Sequence, residues 1–354
     1  MLSLPFADGG EGTSRCFYDI LGGQLRKAAV HDPLLREITA EYTVLPDGTA
    51  VIDIASASGL TLLKSSERDA VKVSSLGSGE LICDAAEHGA KHIILGLGGS
   101  ATTDAGTGIL YALGMRFFSE DGVEVLPDGQ NMIRVKEIRR TENFERFKDI
   151  KFTLACDVTN PLCGENGAAY VFSPQKGASK NDVKLLDDGL RNIGEIFEKA
   201  SGKKIINLPG AGAAGGIGGL SAFLNCELQS GFDVLARAAS LEDKIRRSDA
   251  VITGEGKTDR QTLFGKLPKR VSDIAEKFGV PCILLSGDVE NDISAEKLGV
   301  CEIHKIKENG ISLEHCMKNA ALLLSERAFA IGKDSKIINK QYSRKQEKMR
   351  ENER

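Results

Sequence analysis

Carboxylates stand beside glycine-rich loops at several separate places in the sequence. They are Asp8 and Glu11 in "ADGGEG", Asp104 in "GGSATTD", Asp157 in "ACDVTNP", and Glu255 and Asp259 in "GEGKTD". Glycine lets a ligand come close to the backbone, and the free N–H groups at a helix start attract anions. Mg²⁺ is commonly held by one or two carboxylates together with substrate phosphates, and a further carboxylate can accept a proton from an attacking hydroxyl. The pattern therefore favours magnesium-assisted phosphoryl transfer or another reaction of an anion.

The loop in "ILGLGGSATTDAGTGILYALG", residues 93–113, has the most hydroxyl groups. Ser100, Thr102 and Thr103 suit phosphate oxygens or the water shell of a metal ion. Gly98 and Gly99 have a simpler alternative explanation, a sharp turn that allows a helix to pack closely. The order strand, glycine loop, Thr-Asp recurs in "VITGEGKTD", so that Asp104 and Asp259 follow their strands in similar places. Lysines that could balance phosphate charge are Lys176, Lys257 and Lys266, although each alone could be a solvated surface residue.

Known nucleotide and hydrolase signatures do not match. The segment "GEGKTD" contains the Gly-Lys-Thr of the P-loop pattern G-x-x-x-x-G-K-[ST]. The first glycine of that pattern would fall at position 251, where this sequence has Val251. The Gly-x-Gly-x-x-Gly spacing at 210–215 follows "IINLP" and not a long buried strand, and a spacing of this kind, like the looser one at 96–101, is expected by chance in a chain with 39 glycines. An NAD-dependent dehydrogenase is therefore a disfavoured alternative. The histidines have no H-E-x-x-H spacing, and G-x-S-x-G is absent. The residues themselves indicate an α/β enzyme that handles a nucleotide with magnesium, or another anion.

The predicted elements alternate between strands and helices. A buried strand in "KHIILGLG" precedes a helix predicted over 104–115, and the strand "KFTLACDV" ends near Asp157. Four segments after residue 248 read as strand, helix, strand and helix, the last over 312–332, as in a doubly wound α/β domain. Ligands of open α/β sheets bind at the carboxyl ends of the strands, where these loops lie. We place a domain boundary near residues 235–245.

Composition limits the classes of partner. The 354 residues are 41% hydrophobic with a formal net charge of −4, which does not favour nucleic acid or an acidic membrane surface. Eight cysteines without a C-x-x-C pair indicate reduced thiols in the cytoplasm, and no apolar run approaches the length of a membrane span. The charged tail, residues 333–354, has no apolar periodicity and is expected to be disordered.

Seven sequence blocks together resemble the bacterial glycerate kinase family. They follow the family's order from residue 4 to about residue 330: "PFADGGEGT", "ASASGL", "GLGGSATTDAGTGILYALG", "ACDVTNPLCG", "SPQKGAS", "LPGAGAAGGIG" and "ITGEGKTDRQTLFGKLP". The resemblance implies two α/β domains. Residues 1–40 and 240–332 would form a Rossmann-like doubly wound domain, and residues 41–239 would form a second α/β domain inserted in it. D-glycerate and MgATP would bind in the cleft between the domains.

The resemblance also implies an activity and roles for particular residues. The activity is ATP-dependent phosphorylation of D-glycerate, giving 2-phosphoglycerate or else 3-phosphoglycerate. Asp157 or Asp8 would be the catalytic base, with Lys266 as a further catalytic residue. Asp259 and Glu255 would hold Mg²⁺ or the ribose. The residues predicted to bind the cofactor ATP are Gly98, Gly99, Ser100, Thr102, Thr103, Gly254, Glu255, Gly256 and Asp259.

The start of the chain departs from the family pattern. Family members generally begin with a strand and a loop resembling "APDSFKGSLSA", whereas this sequence opens directly at "MLSLPFADGGEG". The start is misplaced, the chain is a fragment, or another segment substitutes for the strand. Loss of a central strand exposes edges and apolar surface, so we expect a destabilised domain or one that depends on association, for which a homodimer is a candidate. The alternative function is a truncated, inactive relative that only binds nucleotide or acts in regulation.

Overall fold

A computed structural model describes residues 2–7, 9–126, 128–308 and 310–334. The chain divides between Ala239 and Ser240 into two compact units. Parallel strands and helices occur in both units, which confirms the predicted α/β class. Among the described helices, none combines the length and the apolarity that crossing a membrane requires. Of the predicted disordered tail, residues 335–354 lie outside the described residues.

The first unit is built on a mixed sheet with the strand order β1-β2-β3-β4-β7-β8, and β5 and β6 form a separate antiparallel pair. The strands are β1 (Gln24–His31), β2 (Glu37–Val44), β3 (Ala50–Asp53), β4 (His92–Gly96), β5 (Met115–Phe118), β6 (Glu137–Arg140), β7 (Lys151–Ala155) and β8 (Asn225–Gln229). The helices are α1 (Thr13–Leu21), α2 (Ala55–Ser58), α3 (Leu76–Glu87), α4 (Thr107–Ala112), α5 (Glu142–Glu145), α6 (Ala168–Phe172), α7 (Lys180–Ser201), α8 (Ala213–Gly216) and α9 (Gly231–Ala238). Short 3₁₀ helices include Leu60–Leu62, Ser65–Glu67, Met132–Arg134, Pro174–Lys176 and Ile217–Ala222.

Both faces of this sheet are buried. The four strands β3, β4, β7 and β8 are parallel to one another. Along β3, Val51 packs in the cluster that contains Phe17 of α1 and Leu235 of α9, while Ile52 belongs to the larger core on the other face. Continuous apolar runs are expected for strands covered on both sides. The arrangement brings the carboxyl ends of four strands to one edge of the sheet.

The position of residues 24–40 differs from the predicted grouping with residues 240–332. Strand β1 pairs with β2 in antiparallel register from Gln24↔Val44 to His31↔Glu37, so both strands belong to the sheet of the first unit. The turn between them is tightened by Asp32, whose carboxylate accepts hydrogen bonds from the amides of Leu34 at 2.8 Å and Arg36 at 3.0 Å. Two strands that are adjacent in the sequence pair at a low entropic cost because the loop that connects them is short.

The second unit has a three-stranded parallel sheet with the order β13-β11-β9, and β10 pairs with β12. Its strands are β9 (Val251–Thr253), β10 (Lys257–Thr258), β11 (Cys282–Ser286), β12 (Asp288–Val289) and β13 (Glu302–Lys305). Its helices are α10 (Leu241–Arg246), α11 (Leu267–Lys277), α12 (Ala295–Leu298), α13 (Leu313–Lys318) and α14 (Ala320–Asp334), with a 3₁₀ helix at Arg260–Phe264.

The helix predicted over 312–332 is two helices in the structure. Ser312 is the N-cap of α13, and its hydroxyl accepts a hydrogen bond from the His315 amide. Asn319 ends that helix with φ −112° and ψ 20°, and its side-chain amide donates to the carbonyl of His315. A polar side chain that bonds to the backbone competes with helix continuation, which is the reason for the break.

Candidate functional site

A cavity of about 380 Å³ lies in the first unit, beyond the carboxyl ends of β4 and β7. The glycine loop after β4 and the segment after β7 both line it, as the sheet topology leads one to expect. Gly9 and Gly10, in the loop before α1, and Ala213 and Ala214 of α8 form another part of the wall. The wall also includes polar and glycine residues from three segments of the chain: Gly98, Gly99, Ser100, Asp157 and Lys176.

The glycines here allow the loops of the protein itself to touch. The amide of Gly98 donates to the carbonyl of Gly9 at 3.0 Å, and a Cβ on Gly98 would lie 2.5 Å from Cα of Gly10. A Cβ on Gly9 would lie 2.7 Å from the carbonyl oxygen of Ala155. Three segments therefore meet backbone to backbone at Gly9 and Gly98, and this contact is between loops and a strand end, not the packing of a helix that was the alternative explanation for Gly98.

Asp53 is a buried residue of this region that was not predicted from the sequence. Its two carboxylate oxygens accept hydrogen bonds from the amides of Gly12 and Ser14, each at 2.9 Å, at the start of α1. Burial raises the pKa of Asp53 to about 6; the two amide hydrogen bonds oppose this shift, and the charge of Glu11 adds to it. The only signal in the sequence is an aspartate at the end of the apolar strand "AVID".

Asp104 anchors the glycine loop and is fully buried. Its carboxylate accepts hydrogen bonds from the amide and hydroxyl of Ser75, at 2.8 and 2.7 Å, and from the amide of Gly106 at 3.1 Å. Burial raises the pKa of Asp104, against the effect of these hydrogen bonds. Because the turn around Asp104 uses these contacts, α4 begins at Thr107 and not at residue 104 as predicted. Asp104 is thus enclosed by protein and does not face the cavity.

The three hydroxyl residues of the loop have different environments. Ser100 lines the cavity, whereas Thr102 and Thr103 are fully buried and do not appear in its wall. The hydroxyl oxygens of both threonines have no hydrogen-bond partner among the described residues. A Cβ on Gly215 would lie 2.0 Å from the carbonyl oxygen of Thr102, so the glycine-rich segment around α8 covers this part of the loop. The predicted cofactor contacts of Thr102 and Thr103 remain untested predictions.

Lys176 is the buried lysine of the site, with only 3% of its surface exposed. Its ammonium donates to the hydroxyl of Ser100 at 2.9 Å and to the carbonyl of Thr102 at 2.6 Å. Burial lowers the pKa of Lys176 to about 7, and the charge of Asp104 partly opposes the shift. In the sequence, Lys176 is only one of three lysines that could balance phosphate charge, and nothing there distinguishes it from Lys266. The motif "SPQKGAS" was the signal, and tertiary burial is what distinguishes this lysine.

The structure brings some of the predicted residues together. Asp157, Gly98, Gly99 and Ser100 line the same cavity, and the Asp157 side chain is exposed. Asp8, the other predicted base, lies outside the described residues. The remaining predicted residues belong to the second unit: Gly254, Glu255, Gly256, Asp259 and Lys266.

The loop after β9 in the second unit is held by Thr262. The buried hydroxyl of Thr262 donates to the Glu255 carboxylate at 2.6 Å and accepts from the amide of Asp259 at 3.2 Å. Lys266 lies 3.4 Å from the Asp259 carboxylate. Partial desolvation acts to raise the pKa of Asp259, but the Gln261 amide and the Lys266 ammonium outweigh it and lower the pKa.

The same loop borders a second, mainly apolar cavity of about 490 Å³. Gly254, Glu255 and Gly256 form its polar side, while Ile252 and Met317 contribute apolar surface. Gly254 has no room for a side chain, because a Cβ would lie 2.0 Å from the carbonyl oxygen of Leu285. A cavity with a largely apolar wall and a few polar groups is typical of a small-molecule site.

Comparisons with known proteins agree over nearly the full length of the chain. A family model described as the glycerate kinase family matches residues 1–336. A protein of Halalkalibacterium halodurans named glycerate kinase is 38% identical over 328 residues, which are 92% of this chain and 86% of that protein. A protein of Escherichia coli K12 named glycerate 2-kinase is 42% identical over 294 residues, 82% of this chain and 77% of that protein. A crystal structure from Salmonella typhimurium LT2, described as a candidate glycerate kinase 2, has a TM-score of 0.81 and 34% identity, with 98% of this chain and 90% of that chain covered.

Proposed function

Because the chain belongs to the glycerate kinase family, we propose that it transfers the γ-phosphoryl group of ATP to the 2-hydroxyl of D-glycerate. The products are 2-phosphoglycerate and ADP. The name of the Escherichia coli relative, glycerate 2-kinase, supports the 2-hydroxyl over the 3-hydroxyl as the acceptor. Transfer to the 3-hydroxyl would give 3-phosphoglycerate.

The observation that carries this proposal is the meeting of a glycine loop, a buried lysine and an aspartate in one cavity. Gly98 and Ser100, Lys176, and Asp157 come from three separate segments of the chain. Phosphoryl transfer needs little covalent chemistry from the protein, and mostly requires reactants to be positioned and charge to be neutralised. A cavity with one acidic and one basic side chain fits a small hydroxy acid whose hydroxyl must lose a proton.

In the proposed reaction, Asp157 accepts the proton of the substrate hydroxyl. The hydroxyl oxygen forms a bond to the γ-phosphorus as the bond between this phosphorus and the bridging oxygen of the β-phosphate breaks, and ADP leaves with that electron pair. A carboxylate that receives the proton contributes about 10²- to 10⁴-fold to the rate. Asp8 remains the second candidate for this base.

We place the nucleotide on the second unit. The Thr262 hydroxyl donates to the Glu255 carboxylate and accepts from the backbone amide of Asp259, so both acidic residues belong to one hydrogen-bonded loop. Among the described residues no cluster of three or more metal-ligating side chains occurs. Two carboxylates are nevertheless a suitable donor set, since Mg²⁺ takes its other ligands from phosphates and water. Charge neutralisation on the phosphates is the chemistry that Mg²⁺ supplies when bound.

Three other residues of the second unit complete this proposal. Gly254 and Gly256 would let the nucleotide approach the backbone beside the apolar cavity. Lys266 would balance phosphate charge near Asp259, from which it lies 3.4 Å away. Location in the cytoplasm and formation of a homodimer remain predictions from the sequence.

A direct assay tests the proposed function. The purified chain is incubated with ATP, Mg²⁺ and D-glycerate, and release of ADP is followed by a coupled enzyme assay. We expect release that depends on D-glycerate and stops when EDTA removes Mg²⁺. In the NMR spectrum of the product, phosphorus coupled to the single proton on C2 identifies 2-phosphoglycerate, whereas coupling to the two protons on C3 identifies the 3-isomer. Nucleotide binding without turnover would contradict the proposal and support an inactive relative.

A further inference from the structure

The charged side chains in the wall of the first-unit cavity are few. Among its described lining residues, Lys176 supplies one positive charge and Asp157 one negative charge. The other described lining side chains are uncharged. A nucleoside triphosphate carries several negative charges and would meet a wall with no net positive charge. A small monoanion that also has a hydroxyl group matches this wall better.

Lys176 has capacity for a further acceptor. An ammonium group has three donor N–H bonds, and the described residues provide two acceptors, the Ser100 hydroxyl and the Thr102 carbonyl. Both acceptors are neutral. A buried charge is costly unless it is paired, and burial lowers the pKa of this lysine to about 7. An anion beside Nζ would remove much of this cost.

The backbone around Lys176 is fixed in place. The lysine ends the 3₁₀ helix Pro174–Lys176, and its amide donates to the carbonyl of Ser173 at 3.0 Å. The next residue, Gly177, has φ +96°, and a Cβ there would lie 2.4 Å from the carbonyl oxygen of Arg68. The ammonium group is therefore held by a rigid segment, which is what a group that orients a substrate requires.

We propose that Lys176 binds the carboxylate of the hydroxy-acid substrate, so that the first-unit cavity holds the phosphoryl acceptor. This inference rests on the proposed function and deepens it. It reassigns Gly98, Gly99 and Ser100 from the nucleotide to the acceptor. With its carboxylate on Lys176, the substrate presents its hydroxyl to the remainder of the cavity, where Asp157 lies.

The test compares a charged acceptor with a neutral one of the same shape. We measure kcat/KM for D-glycerate and for D-glyceramide in the parent protein, in Lys176→Met and in the control Lys180→Met, which removes an exposed lysine nearby. Loss of one buried, charge-assisted interaction should lower kcat/KM for D-glycerate about 10- to 100-fold, mainly through KM. The kcat/KM of Lys176→Met for D-glyceramide should stay within a few-fold of the parent value. The preference of this variant for D-glycerate over D-glyceramide should therefore be largely lost. Lys180→Met should retain the parent preference.

Other results would overturn the inference. Lys176 does not bind the carboxylate if Lys176→Met keeps the parent preference for D-glycerate over D-glyceramide. A rise in the KM for ATP without a change in that preference would lead to the same conclusion. Should Lys176→Met fail to fold in thermal unfolding, Ser100→Ala removes one of the two contacts that position the ammonium, and should raise the KM for D-glycerate alone.

The inference and the proposed function can fail separately. If the parent protein phosphorylates D-glycerate but its preference does not depend on Lys176, only the inference is wrong. If the parent protein has no kinase activity, the proposed function is wrong, and calorimetric titration of D-glycerate then decides the inference. Binding to the parent protein and to Lys180→Met, but not to Lys176→Met, would support it. Absence of binding to the parent protein would overturn it.

Discussion

Replacement of Gly98 by alanine tests how tightly the loops around the first-unit cavity are packed. The new Cβ would lie 2.5 Å from Cα of Gly10, whereas carbon atoms in contact prefer about 3.5 to 4.0 Å. Backbone cannot rotate away as a side chain can, so the two loops must separate by about 1 Å. That movement stretches the hydrogen bond from the Gly98 amide to the Gly9 carbonyl, which is 3.0 Å long, beyond a useful length.

The expected loss of stability has two parts. Overpacking costs about 1 to 3 kcal/mol, and loss of the hydrogen bond about 1 kcal/mol, so the free energy of unfolding should fall by about 2 to 4 kcal/mol. For a unit of this size each kcal/mol lowers Tm by about 2 to 4 °C, which predicts a decrease of about 4 to 16 °C in scanning calorimetry. A displacement of about 1 Å at the site should also lower kcat/KM for D-glycerate about 100-fold.

Gly219→Ala is the matched control, because Gly219 is buried in the same unit and an added Cβ would make an ordinary 3.5 Å contact with Ile205. We expect the Tm of this control within about 2 °C of the parent value, on the scale of a change near 0.5 kcal/mol. If Gly98→Ala matches the control in both Tm and kcat/KM, the loops are not packed as argued.

Three further predictions concern single side chains. Asp157→Asn cannot accept the proton of the substrate hydroxyl, so kcat should fall by about 100-fold or more, and a kcat within a few-fold of the parent would exclude Asp157 as the base. Asp53 has a pKa raised to about 6 by burial, so the folded protein takes up a proton that the unfolded chain does not hold between about pH 4 and 6. The free energy of unfolding, relative to Asp53→Asn at the same pH, should therefore rise by about 2 kcal/mol from pH 7.5 to 4.5 in denaturant titrations, and a flat difference would contradict this. Thr262→Val removes the hydrogen bond that holds Glu255, so the KM for ATP should rise about 10-fold while the KM for D-glycerate stays within two-fold; equal changes in both values would argue against a nucleotide site on this loop.

Local patterns in the sequence predicted much of the fold. The apolar runs of β4, β7 and β11 and the capping serine of α13 can be identified without coordinates, because strand burial and helix starts depend on neighbouring residues. The pairing of β1 with β2 was missed because β1 alternates only weakly and the family pattern suggested another grouping for residues 1–40, although β2 alternates apolar and polar residues over Glu37–Val44. The break at Asn319 was missed as well, since an asparagine inside an apolar helical pattern does not by itself stop a helix.

The sequence alone determined the family, the α/β class and the identity of the glycine loops with their nearby carboxylates. These features depend on residues that are close together in the sequence, so they can be identified without knowing how the chain folds. Only the tertiary structure decided which groups are buried and which face a cavity: Asp104 and Asp259 follow similar motifs, yet Asp104 is enclosed by hydrogen bonds while Asp259 is only partly covered. Burial changes the free energy of a charge by an amount that depends on every surrounding segment, so a lysine such as Lys176 cannot be distinguished from a surface lysine until those segments are brought together.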